Sequence, residues 1–327
     1  MEKNCMEFAP VIIPTLCRFE HLKRCVDSLS RCTDANQTEI YIGLDYPSKE
    51  SHWDGYNKIN KYLNTITGFK EVVVIRHDKN VGSSGNTRAL KNLIENKYDR
   101  YIYSEDDEEF SPNFLQYMNA CLGKYKNDNN IIAICSYNNP VCDFEKMLVN
   151  YDYNVFPMHG YNAHAVGLWF EKKPKFISKD EILNHFKIAF RAIKNDHAIA
   201  VRTAMFLRGN VSQLTDVGRE LFCSFNNKYC IFPRISKVRN WGVDGTGENS
   251  EIFKSFEKME IDTEKTFTLD EISIKDYPEI KRLEKRVYGF SKWYMNLYIT
   301  IDYVYFRIRG CRLIESRIVM LLRRFVS

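Results

Sequence analysis

Short apolar runs alternate with amphipathic stretches through the first third of the chain. Val11–Ile13 reads as a strand, with Pro14 expected to stop it and aim the following loop outward. Leu22, Val26 and Leu29 recur at i, i+4 and i+7, with Cys25 at i+3, which predicts one face of a helix. Ile40–Leu44 is a second strand and ends at Asp45. Trp53, Tyr56, Ile59, Leu63 and Ile66 predict a second helix, stopped by Gly68. Val72–Ile75 is a third strand, and Ala89, Leu90, Leu93 and Ile94 mark a third helix. Tyr101–Tyr103 is a fourth strand. Ser111 is expected to cap the next helix, with Pro112 at its first position and Phe114, Leu115, Met118, Leu122 and Tyr125 on its apolar face. Ile131–Cys135 is a further strand. From Ser136 to about Gly209 the pattern is less regular, and the Gly-, Asn- and His-rich stretch around His159–Gly167 reads as loop.

Strands alternating with helices predict an α/β fold with a mostly parallel, doubly wound sheet. Ligands bind such sheets beyond the carboxyl ends of the strands. Four polar segments fall there: Pro14–Arg18, Asp45, Gly82–Gly85, and five consecutive acids from Glu105 to Glu109.

Composition adds limits. The chain has 327 residues, 44% hydrophobic and 14% aromatic, enough for a packed core and against global disorder. The net charge of +5 is uneven: Lys281–Ser327 holds eleven Lys or Arg against three Asp or Glu, so the rest is slightly acidic. That distribution argues against nucleic-acid binding by the main domain. No apolar run approaches the roughly 20 residues of a membrane span. The first residues do not resemble a signal peptide. Ten cysteines form no CxxC pair, as expected of reduced core thiols in a cytoplasmic protein.

The acid run has two readings. A run of like charge is commonly a solvated loop. Carboxylates at the end of a strand also suit Mg²⁺ or Mn²⁺, an ion that usually binds substrate phosphates as well.

A strand ending in Glu105-Asp106-Asp107 and followed by FSPNFLQYMNACLGKY resembles the metal motif of GT-A-fold glycosyltransferases. It is similar to family 2-like bacterial enzymes and to the Golgi N-acetylglucosaminyltransferase that begins N-glycan branching. PVIIPTLCRFEHLKRCVDSL looks like that group's opening strand and helix, and NVGSSGNTRALKNLI like its second nucleotide-side segment. FPRISKVRNWGVDGTG resembles a loop that closes on the donor. The matches run in the family's order across roughly residues 10–250. The resemblance implies a GT-A domain over residues 1–250 and a helical, basic and aromatic extension over 251–327.

It further implies an inverting, metal-dependent transferase using a nucleotide sugar, most simply a UDP-sugar such as UDP-GlcNAc. The acceptor would be a glycan or lipid-linked saccharide of a bacterial surface polymer. Asp107 would ligate Mn²⁺ or Mg²⁺, with Asp106 beside it. Glu105 and Asp106 would contact ribose, sugar or metal-bound water, while Glu108 and Glu109 match no role and would be surface residues. Pro14, Thr15, Arg18, Asp45, Asn86 and Arg88 would line the donor pocket, joined by Gly242, Asp244 and Gly245 of the closing loop. Asp216 would be the catalytic base, with Glu220 one turn later as the fallback.

Each assignment has an ordinary structural alternative. Arg18 can pair on the surface, Asp45 can serve a turn or cap, and GSSGNT can simply start a helix. Asp216 can belong to a helix N-terminus. The glycines Gly242, Gly245 and Gly247 can form a plain turn rather than a lid. His159 and His164 have the wrong spacing for two zinc ligands on one helix face and read as loop or core residues. Tyr161 and Trp169 can stack on a sugar or pack inside. Many bacterial relatives carry a His where this chain has Glu248 and Asn249. The tail, with Trp293–Phe306 apolar but interrupted by Asp302, suits either an anionic membrane surface on the inner face of the cell membrane or a packing helix. Two rival functions share the acids: a sugar nucleotidyltransferase, which usually needs a Gly-rich basic loop absent from PTLCRFEHL, and a non-catalytic glycan-binding relative.

Overall fold

The computed structural model describes residues 8–138, 148, 151–172, 175, 177, 178, 181, 215–242, 259–272, 301, 304 and 308. The first third follows the alternation in order. β1 (Val11–Thr15) leads to α1 (Phe19–Ser30), β2 (Glu39–Leu44) to α2 (Trp53–Tyr62), and β3 (Glu71–Arg76) to α3 (Gly82–Ile94). β4 (Arg100–Tyr103) precedes the acids. The chain continues through β5 (Glu108–Phe110), α4 (Phe114–Lys124), β6 (Ile131–Ile134), β7 (Val155–Met158) and β8 (Val166–Trp169). It then runs through α5 (Thr215–Asn226), β9 (Tyr229–Pro233) and β10 (Val238–Asn240).

Eight strands form one sheet in the order β3-β2-β1-β4-β8-β6-β9-β7. β3, β2, β1 and β4 run parallel, as do β6 and β9. β8 runs against both β4 and β6, and β7 runs against β9. The expected mostly parallel, doubly wound α/β arrangement is present, with antiparallel strands in the second half. β5 and β10 form a separate two-stranded antiparallel ribbon, pairing Glu108 with Asn240 and Phe110 with Val238.

Alternation along the strands divides the core between the two faces of the sheet. Val11, Ile13, Ile40, Ile42 and Leu44 pack with Leu22, Val26 and Leu29 of α1 and with Phe114, Leu115 and Met118 of α4. Ile12 and Tyr41 point the other way, onto Leu90 and Ile94 of α3 and Cys223 of α5. Each fully buried Leu or Ile contributes about 1.5–3 kcal/mol. Gly43 of β2 is fixed by the same packing: a Cβ there would meet Asn86 Oδ1 of α3 at 2.0 Å.

Several local expectations are corrected. Pro14 lies inside β1, paired with Gly43, and does not stop the strand. Ser104 N–H donates to Ile12 on the β4 side, where the ladder then ends, so the missing N–H of Pro14 breaks no bond. α4 starts at Phe114, and Ser111 Oγ bonds Asn113 Oδ1 at 3.1 Å instead of capping the helix. α2 ends at Tyr62, before Leu63 and Ile66. Leu93 is 50% exposed and takes no part in the α3 core face. The less regular region after Ser136 contains β7 and β8, and β8 begins at Val166, inside the segment read as loop.

The boundary expected at residue 250 lies outside the described residues, but 259–272 is laced to the body. Lys237 and Asp262 form a buried ion pair, and Asn113 Nδ2 donates to Asp262 Oδ2 at 3.0 Å and to the Thr266 carbonyl at 3.1 Å. Phe267 N–H donates to Gln116 Oε1 at 3.0 Å. In the C-terminal extension beyond residue 272, Ile301, Val304 and Ile308 are described; each is helical and exposed. No helix among the described residues is long and apolar enough to cross a membrane.

Candidate active site

The carboxyl ends of β1, β2 and β4 face one rim, because the three strands are parallel. Thr15, the last residue of β1, donates its hydroxyl to Asp106 Oδ2 at 2.7 Å. Arg18, just before α1, pairs with Asp106 Oδ1 and, through Nη1, with Asp107 Oδ2 at 2.9 Å. Asp106 and Asp107 are each only 6% exposed. Unit charges about 4 Å apart in partly buried surroundings interact by about 4 kcal/mol. Without the guanidinium the pair would repel on that scale. Burial disfavours the charge on Arg18, yet the two aspartates outweigh it and hold the group protonated.

Asp107 is also tied to the β5–β10 ribbon. Asn240 Nδ2 donates to Asp107 Oδ1 at 3.2 Å, and Trp241 N–H donates to the Asp107 carbonyl at 2.9 Å. Gly242 sits so close that a Cβ there would lie 2.1 Å from Asp107 Oδ2. Gly242 thus meets Asp107 directly. Asp244 and Gly245, like Gly247, Glu248 and Asn249, lie outside the described residues.

Glu108 and Glu109 are not the surface residues expected. Glu108 is 0% exposed. Its Oε1 lies 2.7 Å from His164 Nδ1 and accepts from Asn240 Nδ2 at 3.0 Å. Its Oε2 is buried with no hydrogen-bond partner among the described residues. Glu109 Oε2 accepts from Trp241 Nε1 at 2.8 Å. Trp241 is in turn covered by the guanidinium of Arg24, 4.4 Å from the ring.

His164 is the residue the sequence reasoning missed. It follows Ala163 in the segment entering β8 and reaches both Glu108 and Glu105, the latter at 3.6 Å. One oxygen from each glutamate and the imidazole nitrogen lie within 4.8 Å of one another. Burial alone would make His164 less basic, but Glu108, Glu105 and Asp107 push it up to about 10. Glu105 is pushed up to about 8 by burial and by Asp107, Glu108 and Asp216, against the lowering pull of His164. Burial likewise raises Asp106 and Glu108, opposed by Arg18 and His164 respectively.

Asp216, in the first turn of α5, joins this group: Ala163 N–H donates to its Oδ2 at 3.1 Å. Glu220 is buried one turn on and accepts from Tyr161 N–H at 3.4 Å. Asp45 and Asn86 are engaged by the protein's own backbone. Asp45 accepts N–H bonds from Tyr46, Val81 and Gly82 at 2.8–2.9 Å, so it serves as the anion at the start of α3. Asn86 is buried and donates to the Gly43 carbonyl at 2.7 Å. Arg88 is exposed on α3. His159 stacks on Tyr229 and bonds the Lys228 carbonyl. Tyr161 accepts from Arg219 at 2.6 Å, and Trp169 Nε1 donates to the Leu122 carbonyl at 3.1 Å; both are core residues.

No protein-family model matches the chain, and no curated protein does. Similar solved structures include S. aureus TarS, 16% identical with a TM-score of 0.28 over 36% of this chain and 20% of that one. Another is the mannosyltransferase PcManGT from Pyrobaculum calidifontis in complex with GDP-Man and Mn²⁺, at 13% identity and TM-score 0.36, covering 55% of this chain and 51% of that one. TarS 1–349 aligns at 11% identity and TM-score 0.34, over 54% of this chain and 53% of that one. The chain spans a fifth to about half of the length of these proteins.

Proposed function

We propose that the protein is a metal-assisted, inverting glycosyltransferase that moves a sugar from a nucleotide sugar to a hydroxyl of a saccharide acceptor. The observation that carries this reading is the meeting at one rim of three groups: the acids after β4, Arg18 from the β1–α1 loop, and Asp216 from a helix far along the chain. The acids and Arg18 suit a diphosphate with its cation. Asp216 supplies a separate carboxylate held in place by the Ala163 N–H.

The donor set at the rim, carboxylates with one imidazole, fits Mn²⁺ better than a fully hydrated Mg²⁺. When bound, such an ion neutralises charge on the departing diphosphate. The chain's own residues do the rest. Asp216 takes the proton of the acceptor hydroxyl, whose oxygen attacks the anomeric carbon as the bond to the diphosphate breaks. Arg18 keeps Asp106 and Asp107 oriented and is placed to meet phosphate oxygens. Thr15 fixes Asp106 toward the nucleotide side. A UDP-linked donor such as UDP-GlcNAc rests on the resemblance of the motifs, as does a bacterial surface saccharide as acceptor.

Calorimetric titration with UDP, GDP and CDP in the presence of Mn²⁺ tests the site itself. One diphosphate is expected to bind, and Arg18→Ala to weaken it by at least about tenfold, corresponding to about 1.4 kcal/mol. No binding of any diphosphate would overturn the reading.

A further inference from the structure

We propose that the divalent cation of this rim is held by Glu105, Glu108 and His164, with the imidazole making the site select Mn²⁺ or a similar transition ion over Mg²⁺. Three elements bring the ligands together: the loop after β4, the first residue of β5 and the segment entering β8. One ligand atom from each lies within 4.8 Å of the others.

A second observation is independent of that clustering. Glu108 is fully buried, and its Oε2 has no hydrogen-bond partner among the described residues. A buried carboxylate oxygen without a partner is expensive, and a cation satisfies it. Oε1 is shared between His164 and Asn240, so Oε2 is the oxygen with capacity to spare.

The neighbouring aspartates are already engaged. Asp106 uses one oxygen on Thr15 and the other on Arg18. Asp107 uses one on Asn240 and the other on Arg18. Arg18 is therefore the cation of the aspartate pair, and the glutamates and imidazole form a separate donor set. With Arg18 on the aspartates, the imidazole of His164 is what faces Glu105 and Glu108, and a bound cation would take the place of its proton.

The donor chemistry decides the ion. Oxygen-only sets suit Mg²⁺ and Ca²⁺, whereas an imidazole favours later first-row divalent ions. Mn²⁺ accepts both kinds of ligand. The residues that matched no role in the sequence, Glu108 and His164, thereby acquire one.

Cation binding here serves the donor reading above, yet it is measurable without any donor, so each can fail separately. The probe is Mn²⁺ alone, followed by electron paramagnetic resonance. Pulsed spectra of the wild-type protein are expected to carry the modulation of a directly bound imidazole nitrogen. His164→Ala should remove that modulation and weaken Mn²⁺ by more than about tenfold, with Glu108→Gln also weakening it. Asp107→Asn should leave the nitrogen signal in place, and Mg²⁺ should displace Mn²⁺ only in large excess. Absence of a nitrogen signal in the wild-type protein, which needs no variant to fold, would overturn the assignment. So would loss of Mn²⁺ in Asp107→Asn with His164→Ala unchanged.

Discussion

Two acidic sites, one built on Glu39 and the other on Glu105 and Glu108, lie toward opposite ends of the parallel strands. At the amino end, Glu39 opens β2 and is matched on every side. Lys97 and Lys70 pair with it at 2.7 and 3.2 Å, and Tyr41 donates to it at 2.9 Å. Burial opposes its charge, but these partners outweigh burial and hold its pKa down at about 2. At the carboxyl end, Glu105 and Glu108 share His164, and burial together with repulsion from neighbouring carboxylates outweighs it and pushes both up. The same side chain is a stabilising anchor at one end and a stored cost at the other. Crowded, underpaired acids at a strand's carboxyl end mark a place waiting for ligand; paired ones mark scaffold.

The largest effect that would break this contrast is on turnover. Asp216→Asn is expected to lower transfer about 10²–10⁴-fold while nucleotide affinity stays nearly constant, read from the split between kcat and KM. A fall in affinity without loss of kcat would make Asp216 a structural residue of the α5 start. At the other end, Glu39→Gln should leave activity per folded molecule unchanged and destabilise the fold by about 1–3 kcal/mol, measured by denaturant unfolding. The pH sign follows from its lowered value. The Glu39 contribution is fully present above about pH 4.5 and is lost as pH falls toward about 2. The wild-type advantage over Glu39→Gln should shrink across that window.

The opposite sign is expected at the rim. Without added metal, Glu105→Gln should raise the melting temperature above about pH 4.5, by an amount that grows toward about pH 8, because it removes the cost of holding this carboxyl back from ionising, while activity falls. Gly242→Ala sharpens the picture further. Its methyl would collide with Asp107 Oδ2, and overpacking of this kind costs about 1–3 kcal/mol. Weaker nucleotide binding should accompany that loss. The smallest effect is at Asp45. Asp45→Ala removes the bonds to Val81 and Gly82 at the start of α3 and should cost about 0.5–2 kcal/mol, with little change in kcat.

The strand–helix alternation of the first third was legible because each unit is local. A run such as Ile40–Leu44 and the face Leu22-Val26-Leu29 carry their own period. β7 and β8 were not legible. Their pairing partners, β9 for one and β4 and β6 for the other, lie far away in sequence, and Pro157 and Gly167 blur the strand signal. The importance of the rim was readable from four polar segments after strands, but not which acid does what. Five adjacent carboxylates look alike until Glu108 meets His164, 56 residues away. One signal was available. In a strand Glu108 shares a face with Phe110, and a buried Phe110 implies a buried Glu108. Asp45 ended a strand as expected, yet its partners Val81 and Gly82 lie at the start of α3, beyond α2 and β3, so its role there needed the tertiary structure.

The most direct test of the account is turnover of a panel of nucleotide sugars by the full chain with Mn²⁺, read as release of the nucleoside diphosphate. The account predicts release from at least one donor, increased by a saccharide acceptor and abolished by Asp216→Asn. No hydrolysis or transfer with any donor, or release undiminished in Asp216→Asn, would contradict it.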